Sequence, residues 1–157
     1  MSRKLHNILI TGGAGFIGSN FIHYLFGMSS AEGNLFNDAN FDGTVVNVDC
    51  LTYAGNLESL KDVEAQFGGK RYFFEKVDIC DRENIERIFK QYDIDTVIHF
   101  AAESHVDRSI LGPEAFMKTN VMGTFTLLDV ARNYWKKEDG SIRDDVLFHH
   151  ISTDEVY

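Results

Sequence analysis

A doubly wound parallel α/β sheet with strand order 3-2-1-4-5 is the fold this 157-residue chain predicts. Three observations predict it. Short apolar runs alternate with amphipathic helical stretches, the pattern of a parallel sheet covered by helices. A glycine-rich turn joins the first run to the first helix. Several runs end on acidic or small residues, at the strand ends where open α/β sheets bind their ligands.

The elements follow in order. Asn7–Thr11 reads as a strand, Gly12–Gly15 as a turn and Phe16–Met28 as a helix. Ser29–Gly43 is rich in Asn, Asp and Gly and reads as a loop. Thr44–Asp49 is the second strand. Leu57–Gln66 is a short helix closed by Gly68-Gly69, and Tyr72–Val77 is the third strand. Asp81 suits the cap of a helix over Arg82–Gln91, where Ile85, Ile88 and Phe89 recur at helical spacing. Thr96–Phe100 is apolar enough for a strand buried on both faces. Pro113 suits a first helical position, and the helix after it runs to about Lys137. Val146–Ile151 reads as a fifth, buried strand. Sheets of this kind continue with a sixth strand, so the domain is expected to be incomplete at its C-terminus.

Composition narrows the function. A net charge of −9 argues against nonspecific binding to nucleic acid or to acidic membranes. It leaves room for an anionic ligand, because helix N-termini bind phosphate without net positive charge. Cys50 and Cys80 have no CxxC spacing and read as free thiols in a reducing, cytoplasmic setting. No apolar stretch is long enough for a signal peptide or a membrane helix. His99, His105, His149 and His150 do not form a metal set: adjacent His149 and His150 point to opposite faces of a strand. No metal is expected.

The glycine turn carries the strongest local signal. In Thr11-Gly12-Gly13-Ala14-Gly15-Phe16-Ile17-Gly18, Gly12 permits a tight turn and Gly15 lets backbone approach a pyrophosphate. Gly18 lets the helix pack close to the sheet. Between a strand and a helix this pattern points to a Rossmann-type dinucleotide site. Its Gly-x-x-Gly-x-x-Gly spacing resembles the extended short-chain dehydrogenase/reductases. Asp49 would accept the adenosine ribose hydroxyls and repel a 2′-phosphate, favouring NAD over NADP. Asp78 and Ile79 would lie near the adenine, and Phe100, Ala101 and Ala102 would let the cofactor cross the sheet edge. At the other end of the chain, Thr153, Asp154 and Glu155 put a hydroxyl and two carboxylates at the mouth of the fifth strand. That placement suits proton chemistry, although the same letters also fit a capped helix start.

Four blocks resemble the dTDP-glucose 4,6-dehydratase family: Asp49-Cys50-Leu51-Thr52-Tyr53-Ala54-Gly55-Asn56, His99 to Ser109, Thr119 to Thr124, and Ser152-Thr153-Asp154-Glu155-Val156-Tyr157. Cys50 stands where that family usually has Lys. The resemblance implies NAD contacts from Phe16, Ile17, Asp49, Cys50, Leu51, Thr52, Asp78, Ile79, Phe100, Ala101, Ala102, Ser104 and Thr119. It implies substrate contacts from Ser104 and Thr153 on a nucleotide-linked hexose. Asp154 would be the acid and Glu155 the base of dehydration, with Thr153 holding the C4 oxygen. A homodimer through the helix after Pro113 is also implied.

Oxidation at C4 needs a Tyr-x-x-x-Lys pair on a helix. Tyr53, Tyr72, Tyr92 and Tyr134 are followed four residues on by Leu57, Lys76, Thr96 and Glu138. Tyr72–Lys76 fits by letter but falls in a strand and is rejected. The chain is therefore expected to be part of a longer enzyme and inactive alone. A sugar-nucleotide 4-epimerase or decarboxylase of the same branch, and a non-catalytic NAD-binding module, are the alternatives.

Overall fold

A computed structural model describes residues 5–28, 41–104, 110 and 112–152. Five parallel strands form one sheet in the order β3-β2-β1-β4-β5, as the sequence predicts. They are β1 (Asn7–Thr11), β2 (Thr44–Val48), β3 (Tyr72–Glu75), β4 (Thr96–His99) and β5 (Leu147–His150). The helices are α1 (Phe16–Leu25), α2 (Lys61–Phe67), α3 (Arg82–Tyr92), α4 (Pro113–Phe116) and α5 (Thr124–Tyr134).

Alternation along the strands splits the core between two faces. Ile8, Ile10, Val45 and Ile98 point one way and pack with Ile22, Leu25, Leu60 and Val63 of the α1–α2 layer. Leu9, Val46, Val48 and Val97 point the other way, against Ile85, Ile88 and Phe89 of α3 and Leu127, Val130 and Ala131 of α5. Trp135 closes this second layer. Its ring lies tilted against Phe89 at a centroid distance of 5.9 Å, and its indole N–H donates to the Ile94 carbonyl at 2.7 Å.

Four expectations are corrected. The helix from Pro113 to about Lys137 is not uniform: Met117–Gly123 between α4 and α5 is π-helical, and α5 ends at Tyr134. Gly123 lies against Ile79, so closely that a Cβ there would strike the isoleucine side chain. A widened turn accommodates that contact. The stretch Leu57–Gln66 begins as a 3₁₀ turn, Leu57–Leu60, with Asn56 accepting from the Glu58 N–H, and becomes α-helical only from Lys61. β5 is not buried: Leu147, His149 and His150 are exposed. Among the described residues it pairs with β4 alone. The strand ends are also shorter than expected, leaving Asp49, Val77 and Phe100 just beyond the ladders.

Candidate functional site

The site residues gather where β1 to β4 end. After Thr11 the chain turns through Gly12 at φ +70°, a left-handed conformation that disfavours side chains. A Cβ there would lie 2.7 Å from the Ala101 nitrogen, so the turn rests directly on the backbone after β4. Gly18 has the role expected of it: a Cβ would collide with the Gly12 carbonyl and the Gly13 Cα. Gly13, which the sequence reading passed over, is equally constrained by Asn47 and Ile22.

Helix α1 starts at Gly15 with no side-chain cap and no acidic residue in its first turn. Its first N–H groups and the positive end of its dipole therefore have no side chain of α1 to satisfy them. Phe16 and Ile17 stand beside them 85% and 64% exposed. Large apolar side chains bare at a helix start, next to glycines that leave no bulk, fit a bound dinucleotide.

Asp49 fastens the turn. Its Oδ2 accepts the Ala14 N–H at 3.0 Å and its Oδ1 accepts the Leu51 N–H at 2.8 Å. The Asn56 N–H adds a bond to the Ala14 carbonyl at 2.9 Å. Each carboxylate oxygen keeps acceptor capacity for a ribose hydroxyl. Cys50 and Thr52 beside it are exposed and Leu51 is half-buried. Burial, then the charges of Asp49 and Asp78, push the Cys50 thiol pKa up. Burial followed by Asp78 does the same to Cys80.

At the end of β3, Asp78 accepts the Cys80 N–H at 2.9 Å and pairs with Lys118 Nζ at 3.1 Å. Desolvation pushes its carboxyl up, but those hydrogen bonds outweigh it and hold the pKa below the usual range. The Lys118 contact was not legible in sequence, because it joins two segments 40 residues apart. Ile79 is 5% exposed and its side chain lies in the core beneath Gly123, so it forms the floor of this corner rather than an open surface.

Beyond β4, Phe100 and Ala101 are half-buried while Ala102 and Ser104 are exposed. The loop is held by a reciprocal pair. The Glu103 N–H donates to Asn120 Oδ1 at 2.8 Å, and Asn120 Nδ2 donates to the Glu103 carbonyl at 2.9 Å. Thr119, half-buried, precedes that asparagine on the π-helical segment. Thr153, Asp154, Glu155 and His105 lie outside the described residues.

Tyr72 is not a catalytic base. It is 1% exposed, its hydroxyl accepts from Asn47 Nδ2 at 2.9 Å, and burial pushes its pKa up to about 12. Among the described residues no three His, Cys, Asp or Glu side chains are grouped to hold a metal.

The pKa of His99 is strongly shifted. The residue is 1% exposed, and burial, with a smaller contribution from His150 at a ring-centroid distance of 5.1 Å, lowers its pKa to about 4. Folding thus depresses this pKa, and below pH 6.5 the unfolded chain binds more protons than the folded one. Stability from this group is full above pH 6.5 and is lost as pH falls toward 4, by about 3 kcal/mol at ~1.4 kcal/mol per unit. Urea titrations between pH 7 and 5 are expected to show a falling midpoint, and His99→Asn to flatten most of that slope.

A glycine turn stitched by a strand-end carboxylate to a five-stranded parallel sheet defines a Rossmann-type α/β domain of the extended short-chain dehydrogenase/reductase kind. More narrowly, the chain belongs to the GDP-mannose 4,6 dehydratase family, whose model matches residues 9–157. It is 54% identical over 150 residues to dTDP-glucose 4,6-dehydratase of Salmonella typhimurium, covering 96% of this chain and 37% of that protein. It is 51% identical over 151 residues to the Haemophilus influenzae dTDP-glucose 4,6-dehydratase, covering 96% and 40%. The chain thus spans about two fifths of the length of these curated relatives. Among solved structures, dTDP-glucose 4,6-dehydratase from Bacillus anthracis in complex with NAD superposes with a TM-score of 0.71 at 36% identity, over 96% of this chain and 38% of that one. UDP-glucose 4-epimerase from Thermotoga maritima with UDP-glucose gives 0.64 at 33%, over 82% and 34%.

Proposed function

We propose that this chain is the cofactor-binding part of an NAD-dependent 4,6-dehydratase acting on a nucleotide-linked hexose, with dTDP-glucose the favoured substrate. The observation that carries the cofactor reading is Asp49, whose carboxylate is fixed to Ala14 and Leu51 at the β2 end beside an uncapped helix start. A carboxylate there favours a free ribose 2′-hydroxyl and disfavours a 2′-phosphate. The substrate reading is supported by the names of the relatives, whose sugar nucleotides differ between dTDP and GDP forms.

NAD, when bound, would supply a hydride acceptor for C4 as NAD⁺ and, once reduced by that hydride, the donor that returns it to C6. In this reading the 4-ketone acidifies C5, Glu155 takes the C5 proton and Asp154 protonates the departing C6 hydroxyl. Thr153 holds the C4 oxygen, and Ser104 meets the hexose. Adjacent carboxylates suit this division, because like charges close together push their pKa values apart. The 157 residues hold no Tyr-x-x-x-Lys on a helix, and no turnover is expected from them alone.

The π-helical segment and α5 carry Met117, Val121, Phe125 and Leu128 at helical spacing, each 46–59% exposed. Such an apolar stripe supports a homodimer through this face. No helix among the described residues is long and apolar enough to cross a membrane, and the two free cysteines accord with a cytoplasmic setting.

The 4-epimerase alternative is separated from dehydration at Asp154. In a version carrying the full length of the relatives, Asp154→Asn is expected to lower 4-keto-6-deoxy sugar formation by about 10²–10⁴-fold, the usual worth of a general acid. C4 oxidation, followed as NADH absorbance, should persist. An unimpaired elimination rate would overturn the role of Asp154, and a parent enzyme that forms no 4-keto-6-deoxy sugar would overturn the dehydratase assignment.

A further inference from the structure

The buried imidazole of His99 has partners on both ring nitrogens, and both belong to elements of the site. Nδ1 lies 2.6 Å from Thr11 Oγ1, on the residue that enters the glycine turn. Nε2 lies 2.9 Å from Thr124 Oγ1, at the junction of the π-helical segment and α5. Thr11 Oγ1 also accepts the Ala101 N–H at 3.3 Å. The β1–β4 ladder ends one residue earlier, with the Phe100 N–H on the Thr11 carbonyl at 3.0 Å. A side-chain hydroxyl therefore extends the ladder across the mouth, where Gly12 already touches the Ala101 backbone.

One protonation pattern satisfies every buried group. If Thr11 Oγ1 accepts from Ala101, its own proton is free to go to His99 Nδ1. The imidazole then carries its proton on Nε2 and donates to Thr124. The opposite tautomer would give Thr11 two donors and leave its hydroxyl proton without this partner, in a residue that is 0% exposed. Beyond these threonines, the titratable group that faces the ring is His150 on the paired β5 strand.

We propose that Thr11, His99 and Thr124 form a hydrogen-bonded relay that sets the gap between the glycine turn and the Ala101–Ala102 wall, with His99 as a positioning residue for cofactor binding. This rests on the NAD reading above. His99 does not touch the cofactor. It orients the Thr11 hydroxyl, which holds Ala101.

Replacements that keep one arm at a time test it. In His99→Asn, Oδ1 takes the place of Nδ1 and keeps the Thr11 arm. In His99→Gln, the amide nitrogen takes the place of Nε2 and keeps the Thr124 arm. Thr11→Val removes the hydroxyl with little change of shape, and Thr11→Ser restores it. Calorimetric titration with NAD is expected to show His99→Asn and Thr11→Ser within about threefold of the parent chain. His99→Gln and Thr11→Val should bind at least tenfold more weakly, although both His99 variants lose similar thermal stability. Equal NAD affinity across the four variants would reduce His99 to a packing role and overturn the relay. A parent chain that binds no NAD would instead overturn the cofactor reading, and the relay's role with it. Long-range ¹H–¹⁵N spectra of the unmutated chain decide the hydrogen-bond pattern independently of any variant's folding. The Nε2–H tautomer is expected, and a proton on Nδ1 would contradict the relay.

Discussion

Gly12→Ala is expected to destabilise the fold by about 2–5 kcal/mol and to abolish measurable NAD binding. Two costs combine. The left-handed conformation at φ +70° penalises any Cβ by roughly 1–2 kcal/mol. The added methyl would also meet the Ala101 nitrogen and Cα at 2.7 and 2.8 Å, and relieving such overpacking costs roughly 1–3 kcal/mol. Neither neighbour is a flexible side-chain tip, so relief requires the turn and the strand mouth to separate. That movement displaces the glycine turn, where Gly15 and the start of α1 are proposed to meet the pyrophosphate. Urea unfolding measures the first effect and calorimetry the second. Gly27→Ala is the control. It shares the positive φ, but nothing lies within 4 Å of its added Cβ, so it should cost only the conformational part and leave NAD binding intact.

Asp49→Asn is expected to weaken NAD binding about 10–100-fold and to narrow discrimination against NADP. The carboxylate accepts two backbone N–H groups, from Ala14 and Leu51. An amide accepts with only one of its two atoms and turns its NH₂ toward the other donor. A ribose hydroxyl would lose its charged acceptor as well, which costs roughly 1.5–3 kcal/mol, and each ~1.4 kcal/mol is tenfold in affinity. The negative charge that repels a 2′-phosphate goes as well. NADP should therefore gain relative to NAD even as both bind less well.

The parts of the fold legible in sequence are those written in local pattern. Ile8-Leu9-Ile10 reads as a strand and Thr96-Val97-Ile98 as one covered on both faces, and their apolar side chains do alternate between the two core layers. The glycine turn was legible because its spacing falls between a strand and a helix, although Gly12 and Gly13 are pressed against Ala101 and Asn47, far along the chain. The features that escaped were decided across the chain. The π-helical turn at Met117–Gly123 arises where Gly123 meets Ile79, 44 positions away in sequence, and no letter in the helix announces it. Val146–Ile151 has the apolarity of a core strand, yet Leu147, His149 and His150 of β5 are exposed where, among the described residues, β4 is its one partner strand, and burial follows neighbours as well as letter. His99 looked like one polar letter in an apolar strand. Its importance lies in partners 88 and 25 residues away, and spacing alone does not reveal them. Lys118 is the same case at the Asp78 corner.

The central claim is that the strand-end crevice around Gly12, Asp49 and Ala101 takes NAD. Calorimetric titration of the 157-residue chain with NAD, and separately with NADP, tests it most directly. One saturable site for NAD is expected, with NADP at least tenfold weaker. No detectable binding of NAD, or equal affinity for the two dinucleotides, would contradict it.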